Sequence, residues 1–388
     1  MRTFMVILTM ALLAGAPAAA ASPISDAGLI PVSLPSDLPP GTVLTDVGHS
    51  VSGWVAVGVD PGAVPRPLDP GLARVVVLTS IDGVTWSRVP LMGDAAAGMM
   101  GSIASTQDGF TVVGSAPCIG SELGGGLAPD PQCVAVWRSP DGIAWQRTLA
   151  DDSQAADALL VDAAATRDVL VLIGCLTISC SEGSAIWRSA DGARWDRAQT
   201  EGLPSALLMS LGTDGSQIAV TGIDVELGTP LIAVSVDGVA WSQTFSGDVG
   251  AGFEFVTAGP DGWLAGGQRR EPGDGIKGLV VTSPHGQDWQ PVAAAAGPDL
   301  FFRAGWSDAR TILAGSAPAE PGHRPAAWRL GADGLAELPV AGLEPGIQGE
   351  LMRVAGAPDG TTVAIGYLDE PTGIRWAMWT LPRRDQAP

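Results

Sequence analysis

Asparagine is missing from the 388-residue sequence, lysine occurs once, at Lys277, and tyrosine once, at Tyr367. Without Asn there is no acceptor for N-linked glycans. With 21 Lys+Arg against 41 Asp+Glu the formal net charge is −20. A nucleic-acid partner needs a basic footprint, and none is visible. Histidine is limited to His49, His285 and His323, far apart and without metal-ligand spacing. After the first twenty or so residues no run is long and apolar enough to cross a membrane. No later stretch holds a convincing 3.6-residue period over three turns, so helix content should be small. These gaps leave no expectation of a cofactor, a metal, a nucleic-acid partner or an integral membrane span, and the chain is expected to be a monomer.

What is abundant points the other way. Hydrophobic residues make up 46% and charged residues 16%, a globular balance rather than a disordered one, and 52 Gly with 31 Pro suit many short strands and turns. One phrase recurs: Ser80-Ile-Asp82-Gly83-Val-Thr-Trp86, Ser139-Pro-Asp141-Gly142-Ile-Ala-Trp145, Ser189-Ala-Asp191-Gly192-Ala-Arg-Trp195 and Ser235-Val-Asp237-Gly238-Val-Ala-Trp241. A worn copy follows at Ser283-Pro-His285-Gly286-Gln-Asp-Trp289. The spacing of about fifty residues is that of a repeat architecture. Asp-Gly between extended runs is a hairpin signal, because Gly accepts φ > 0 without a Cβ clash. The Ser and Asp side chains can satisfy the turn's own amides, and the Trp offers a ring to pack on neighbouring strands. The four aspartates therefore read as structural clasps, since a catalytic carboxylate would not be scattered over every repeat.

The phrase resembles the Asp-box, or BNR, repeat of sialidases and related secreted β-propellers, normally Ser-x-Asp-x-Gly-x-x-Trp, and departs from it because Gly follows Asp directly. The resemblance spans nearly the whole chain after its first segment. It implies that each box lies between the third and fourth strands of a blade, on the face opposite the ligand site. For a sialidase it implies a Tyr nucleophile activated by Glu, an acid/base Asp and three Arg gripping the substrate carboxylate. The residues available for that set are Tyr367, Glu350, Arg269, Arg303 and Arg353. No Phe-Arg-Ile-Pro motif precedes the first box; Phe302-Arg303-Ala304 is a poor echo in the wrong unit.

Taken in order, residues 1–21 read as a secretory signal peptide: Arg2, an apolar run over Phe4–Leu13, and Ala19-Ala20-Ala21 as the cleavage region. Residues 22–41 are a Pro-rich linker in which Leu29–Leu34 can form a strand. From residue 42 to 388, strand-B glycines at 58, 114, 174, 222, 267, 315 and 366 count seven units. Unit seven ends at the strand holding Trp376 and Trp379, so its fourth strand is missing, and Leu29–Leu34 would fill the place. The expected fold is all-β: a seven-bladed β-propeller of four-stranded antiparallel blades, its ring closed by an N-terminal strand.

Binding is expected on the loop-bearing face, through the long B–C loops Asp60–Ala73 and Pro117–Gln132. Acids on the D–A connections, Asp94, Asp151, Asp152, Asp157, Glu201, Asp248, Asp299 and Glu344 with Glu254 and Glu350 close behind, offer a carboxylate ring at the axial funnel. No catalytic or cofactor-binding residue is assigned. The leading reading is a non-catalytic module for a protein or polysaccharide ligand; the alternative is a glycoside hydrolase, sialidase-like or using two carboxylates. Export permits disulfides, and Cys118–Cys133 and Cys175–Cys180 would each staple a B–C connection. The first would contribute roughly 3 kcal/mol in the chain-entropy picture. A thiol titration of native protein should find no free thiol; finding four would refute the pairing.

Overall fold

The computed structural model describes residues 28–383 apart from 63–72, 107, 118–131, 150–158, 176–179, 181–182, 272, 274, 296 and 309. Seven four-stranded antiparallel sheets form the blades of a β-propeller. In blade one the strands, lettered A to D from the axis outward, are Val43–Ser50, Gly53–Asp60, Arg74–Ser80 and Ser87–Val89. Blades two to six repeat that order, their A strands starting at Met99, Leu159, Ala206, Ala251 and Phe301. Blade seven supplies Gln348–Gly356, Thr362–Glu370 and Gly373–Leu381, and its fourth strand is Ile30–Pro31, paired with Thr380 and Trp379. The ring is thus closed by the N-terminal segment, through a shorter strand than Leu29–Leu34.

The apolar cores lie between blades rather than within them. Val55, Val57 and Val77 of blade one meet Met100, Val112 and Trp137 of blade two. At the closing seam Leu44, Val47 and Trp54 of blade one meet Val363, Ile365 and Met378 of blade seven. A blade is covered on both faces by its neighbours, so its middle strands read as nearly unbroken apolar runs: Trp54 to Val59 all lie buried. Gly58 has a packing reason, since a Cβ there would meet the Val43 carbonyl oxygen at 2.2 Å.

The repeated Ser-x-Asp-Gly phrase forms the C–D turn in each copy. Asp141 Oδ1 accepts the amides of Ile143 and Ala144 at 2.9 and 2.8 Å and the Ser139 hydroxyl at 3.1 Å. Asp82, Asp191 and Asp237 repeat the pattern. Gly142 has φ +74°, and a Cβ there would lie 2.6 Å from Val55 Cγ2 of the preceding blade. The turn therefore needs Gly for its own conformation and for contact with the adjacent blade. Trp86, Trp145, Trp195, Trp241 and Trp289 are all buried. Trp54 and Trp263 are buried as well, as strand packing predicts.

Cys175–Cys180 is a disulfide across the B–C connection of blade three. Cys133 is also disulfide-bonded; Cys118, its expected partner, lies outside the described residues. So do residues 1–21, expected as a signal peptide, and most of the two long B–C loops, 63–72 and 118–131.

Closure rests on Leu29, fully buried against Ala327, Leu338 and Leu351. Its amide donates to Pro339 O at 2.7 Å, and its carbonyl accepts the Ala341 amide at 2.8 Å. Leu29→Ala should cost about 2–5 kcal/mol by loss of packing, read as a lower midpoint in urea with the β-sheet circular dichroism preserved. An unchanged midpoint would show that the strap is not part of the cooperative unit.

Candidate functional site

One backbone irregularity builds the centre of the molecule. In every blade the A–B register slips once, after the second to fourth residue of strand A, as between Leu44 and Asp46, Phe253 and Phe255, or Leu351 and Arg353. A bulge re-aims side chains and bends its strand. Repeated seven times on the innermost strands, it brings Asp46, Ser102, Asp162, Ser210, Phe255, Ala304 and Arg353 to equivalent positions around the axis.

Four of those seven are linked by hydrogen bonds. The Ser102 hydroxyl lies 3.2 Å from Asp46 Oδ2 and 2.6 Å from Asp162 Oδ1. Ser210 donates to Asp162 Oδ2 at 3.0 Å. Each carboxylate also accepts an amide from the next blade, Ile103 for Asp46 and Leu211 for Asp162, both at 2.8 Å. Arg353 Nε stands 4.0 Å from Asp46 Oδ1. Burial pushes the Asp46 carboxyl up to about 6; Arg353 and the amides of Ile103 and Val47 oppose the rise, and the charge of Asp162 adds to it. A serine hydroxyl carries one proton. With Asp46 protonated, its OH can donate to Ser102, which donates in turn to Asp162, and both links are satisfied.

The second cluster lies at the mouth of the axis, between blades six and seven, on the face opposite the C–D turns. Glu254 and Arg303 are the bulge residues of blades five and six, and Glu350 lies at the start of strand A in blade seven. Arg303 Nη1 pairs with Glu254 Oε1 at 3.1 Å, and its Nε donates to Glu350 Oε1 at 3.0 Å. Ser316 donates to the same Glu350 oxygen at 3.0 Å. Glu350 is 7% exposed, so its pairing with Arg303 matters for its burial. Arg303 is held above its usual range because its two carboxylates outweigh the effect of burial. Beside this trio is a cavity of about 230 Å³ lined by Phe301, Arg303, Ser316, His323, Gln348, Glu350, Tyr367 and Asp369 among others. Tyr367 sits opposite Glu350 in the strand register. Burial pushes its phenol up, and Glu350 and Asp369 add to the rise while Arg303 opposes it.

Of the acids expected as a funnel ring, Glu254 and Glu350 come together through Arg303; Asp151, Asp152 and Asp157 lie outside the described residues. The three arginines do not converge: Arg269 pairs with Glu271 at 2.6 Å, Arg353 stands by Asp46, and Arg303 alone lines the cavity. Asp46, Asp162, Ser102 and Asp369 carried no sequence signal beyond their place near the ends of A and B strands; aligning the units on their strand-B glycines would have put Asp46, Ser102, Asp162 and Ser210 in one column. Among the described residues no group of three or more His, Cys, Asp or Glu converges as a metal site. A larger cleft, about 450 Å³, runs between Val32–Thr42 and the start of the third strand of blade seven, Gly373–Ala377. Its two charged groups, Glu370 and Arg375, neutralise each other at 2.6 Å.

No protein-family model matches the chain, and no curated protein does. Solved structures match it over most of its length. A protein of unknown function from Dyadobacter fermentans is 15% identical with a TM-score of 0.50, covering 92% of this chain and 98% of that one. The β-propeller domain of the trilobed protease from Pyrococcus furiosus, described as having an open velcro topology, is 9% identical with a TM-score of 0.52, covering 89% and 96%. A Hadza microbial sialidase is 15% identical with a TM-score of 0.46, covering 71% and 63%. At these identities the likeness is one of fold.

The axial chain makes a pH prediction. An Asp that titrates near 3.8 when unfolded and near 6 when folded binds its proton first in the folded state. Its contribution is fully present below about 4 and is lost as pH rises through about 6, at most roughly 3 kcal/mol. Asp46→Asn, which keeps a donor toward Ser102, should flatten the dependence of unfolding free energy on pH between 4 and 7 relative to wild type. A variant that keeps the full wild-type slope would remove Asp46 as its source.

Proposed function

We propose that the protein is an exported binding module that engages a protein or glycan through its loop-bearing face, with the cavity between blades six and seven as its recognition point. The observation that carries this reading is the state of Arg303. Among the described residues it is the one arginine lining that cavity, and both Nη1 and Nε are committed to carboxylates of neighbouring blades. An arginine so engaged fixes the walls of a pocket and is poorly placed to grip a substrate carboxylate. The phenol of Tyr367 is pushed up rather than down, the opposite of the usual route to an activated nucleophile. Export is supported by the signal-like residues 1–21 and by the Cys175–Cys180 disulfide. Among the described residues no helix is long and apolar enough to cross a membrane.

One observation favours the second reading, a glycoside hydrolase of sialidase-like type: Tyr367 and Glu350 face each other in register at the cavity wall. Two measurements separate the readings. A thermal-shift screen against glycans and peptides should give a stabilising ligand, about 2.7 kcal/mol at a hundred times its dissociation constant, with the shift diminished by Gln348→Ala at the cavity wall. Turnover of aryl sialosides or other aryl glycosides should be absent. Hydrolysis by the wild type that disappears in Tyr367→Phe would replace the binding reading by the enzymatic one.

A further inference from the structure

The cavity between blades six and seven is unbalanced in its donors and acceptors. Its one permanently charged donor, Arg303, is held by Glu254 and Glu350. Glu350 Oε1 takes both Arg303 and Ser316, and Oε2 takes no hydrogen bond among the described residues. Asp369, exposed at the rim, makes neither a side-chain hydrogen bond nor an ion pair among the described residues. Nε2 of His323, another lining residue, is closed off from solvent and has no hydrogen-bond partner among the described residues. Counting Glu254, Glu350 and Asp369 against Arg303, the site holds an excess of negative charge. Burial first, then Glu350 and Asp369, hold the Tyr367 phenol above its usual range, with Arg303 opposing. The rings of Phe301 and Tyr367 complete the wall, and an aromatic face attracts a cation.

We propose that this pocket binds an organic cation, the primary ammonium or guanidinium group of a basic peptide or an amino sugar, between Asp369, the free oxygen of Glu350 and the two aromatic rings. The proposal rests on the binding role inferred above and narrows its ligand. An ammonium brings three donors and no acceptor, which matches a wall rich in free acceptors. A carboxylate or sialate would meet two uncompensated carboxylates and an arginine already engaged. A volume of about 230 Å³ takes one side-chain head or one sugar ring, not a longer chain.

The test is calorimetric titration at physiological salt with a capped lysine tripeptide, a capped arginine tripeptide and a glucosamine disaccharide, alongside the N-acetylglucosamine disaccharide and sialyllactose. Two variants of equal charge change are compared. Asp369→Asn alters the exposed rim, whereas Asp108→Asn removes an acid from an A–B turn on the opposite face. At least one cationic probe should bind, with affinity reduced about tenfold in Asp369→Asn and unchanged in Asp108→Asn; whether peptide or amino sugar binds identifies the source of the cation. Equal loss in both variants would reduce the effect to the net charge of −20 and overturn the proposal. So would the failure of every cationic probe at millimolar concentration. Binding of the uncharged disaccharide, insensitive to Asp369→Asn, would leave the binding role standing and remove the cation. Cleavage of sialyllactose would remove both.

Discussion

The apolar seam between neighbouring blades is the contact on which the rest of the molecule depends. Each sheet has two apolar faces and no core of its own, so it folds only when sandwiched. Seven sheets in a ring give seven seams, and the ring has stable ends only if the first blade meets the last. Leu44, Val47 and Trp54 against Val363, Ile365 and Met378 make that junction, and the strand Ile30–Pro31 ties the outside of blade seven. The tie reaches beyond the sheet. Leu29 bonds to Pro339 and Ala341 in the connection between blades six and seven, near the same blades whose inner ends form the cavity. The N-terminal strap and the candidate site thus belong to one rigid wall of the propeller, and the site inherits its rigidity from closure.

The strand-A bulge is the second constraint, and it explains why the centre of the molecule is polar. Strands packed on both faces offer no route for a charged side chain except at their ends or where the ladder is interrupted. The bulge interrupts every inner strand at one height, and each blade spends that position differently. Blades one to four use Asp46, Ser102, Asp162 and Ser210, which bond to one another across blade boundaries. Blades five and six put Phe255 and Ala304 there, so the polar stitching stops. Phe255 fills the space left by Gly266 and Gly305, where a Cβ would meet its ring at 2.5 and 2.2 Å. Where the stitching stops, the bulge residues themselves, Glu254 and Arg303, take over with Glu350.

The architecture was legible because its signals are local and repeated. Ser-x-Asp-Gly marks a turn whose hydrogen bonds lie within five residues, and the strand-B glycines count the blades because at Gly58, Gly114, Gly222, Gly267, Gly315 and Gly366 a Cβ would strike strand A. Closure was legible by subtraction, blade seven being one strand short. The site was legible only in part. Glu254, Arg303 and Glu350 stood out as charged residues near strand starts, yet nothing in the sequence says that three residues almost a hundred positions apart share one ion-pair chain. That depends on the angle between blades and on the bulge, and a one-residue slip in register has no signature in a single sequence. Asp46 and Asp162 share a column with Ser102 and Ser210, twelve residues before their strand-B glycines, but that column alone does not say that they meet at the axis. The long B–C loops, expected to carry recognition, fall mostly outside the described residues, and the inner rim supplies the better-defined chemistry.

The two faces of the propeller treat their carboxylates in opposite ways, and this locates function better than the count of acids does. On the turn face the amides of Ala144 and Ile143 hold Asp141 below the usual carboxylate range, and the amides of Arg194 and Ala193 do the same for Asp191. In each, one oxygen already accepts two amides and a hydroxyl. Such groups are spent on the fold and have little left for a ligand. At the axis Asp46 and Asp162 are also filled, by amides and hydroxyls of other blades. At the rim between blades six and seven the accounting leaves a remainder: one oxygen of Glu350 and the carboxylate of Asp369. A protein of net charge −20 has many acids that solvent alone satisfies. Here the unfilled acceptors share a concave wall with two aromatic rings and a fixed arginine, and a donor-rich ligand is the chemistry that this wall lacks.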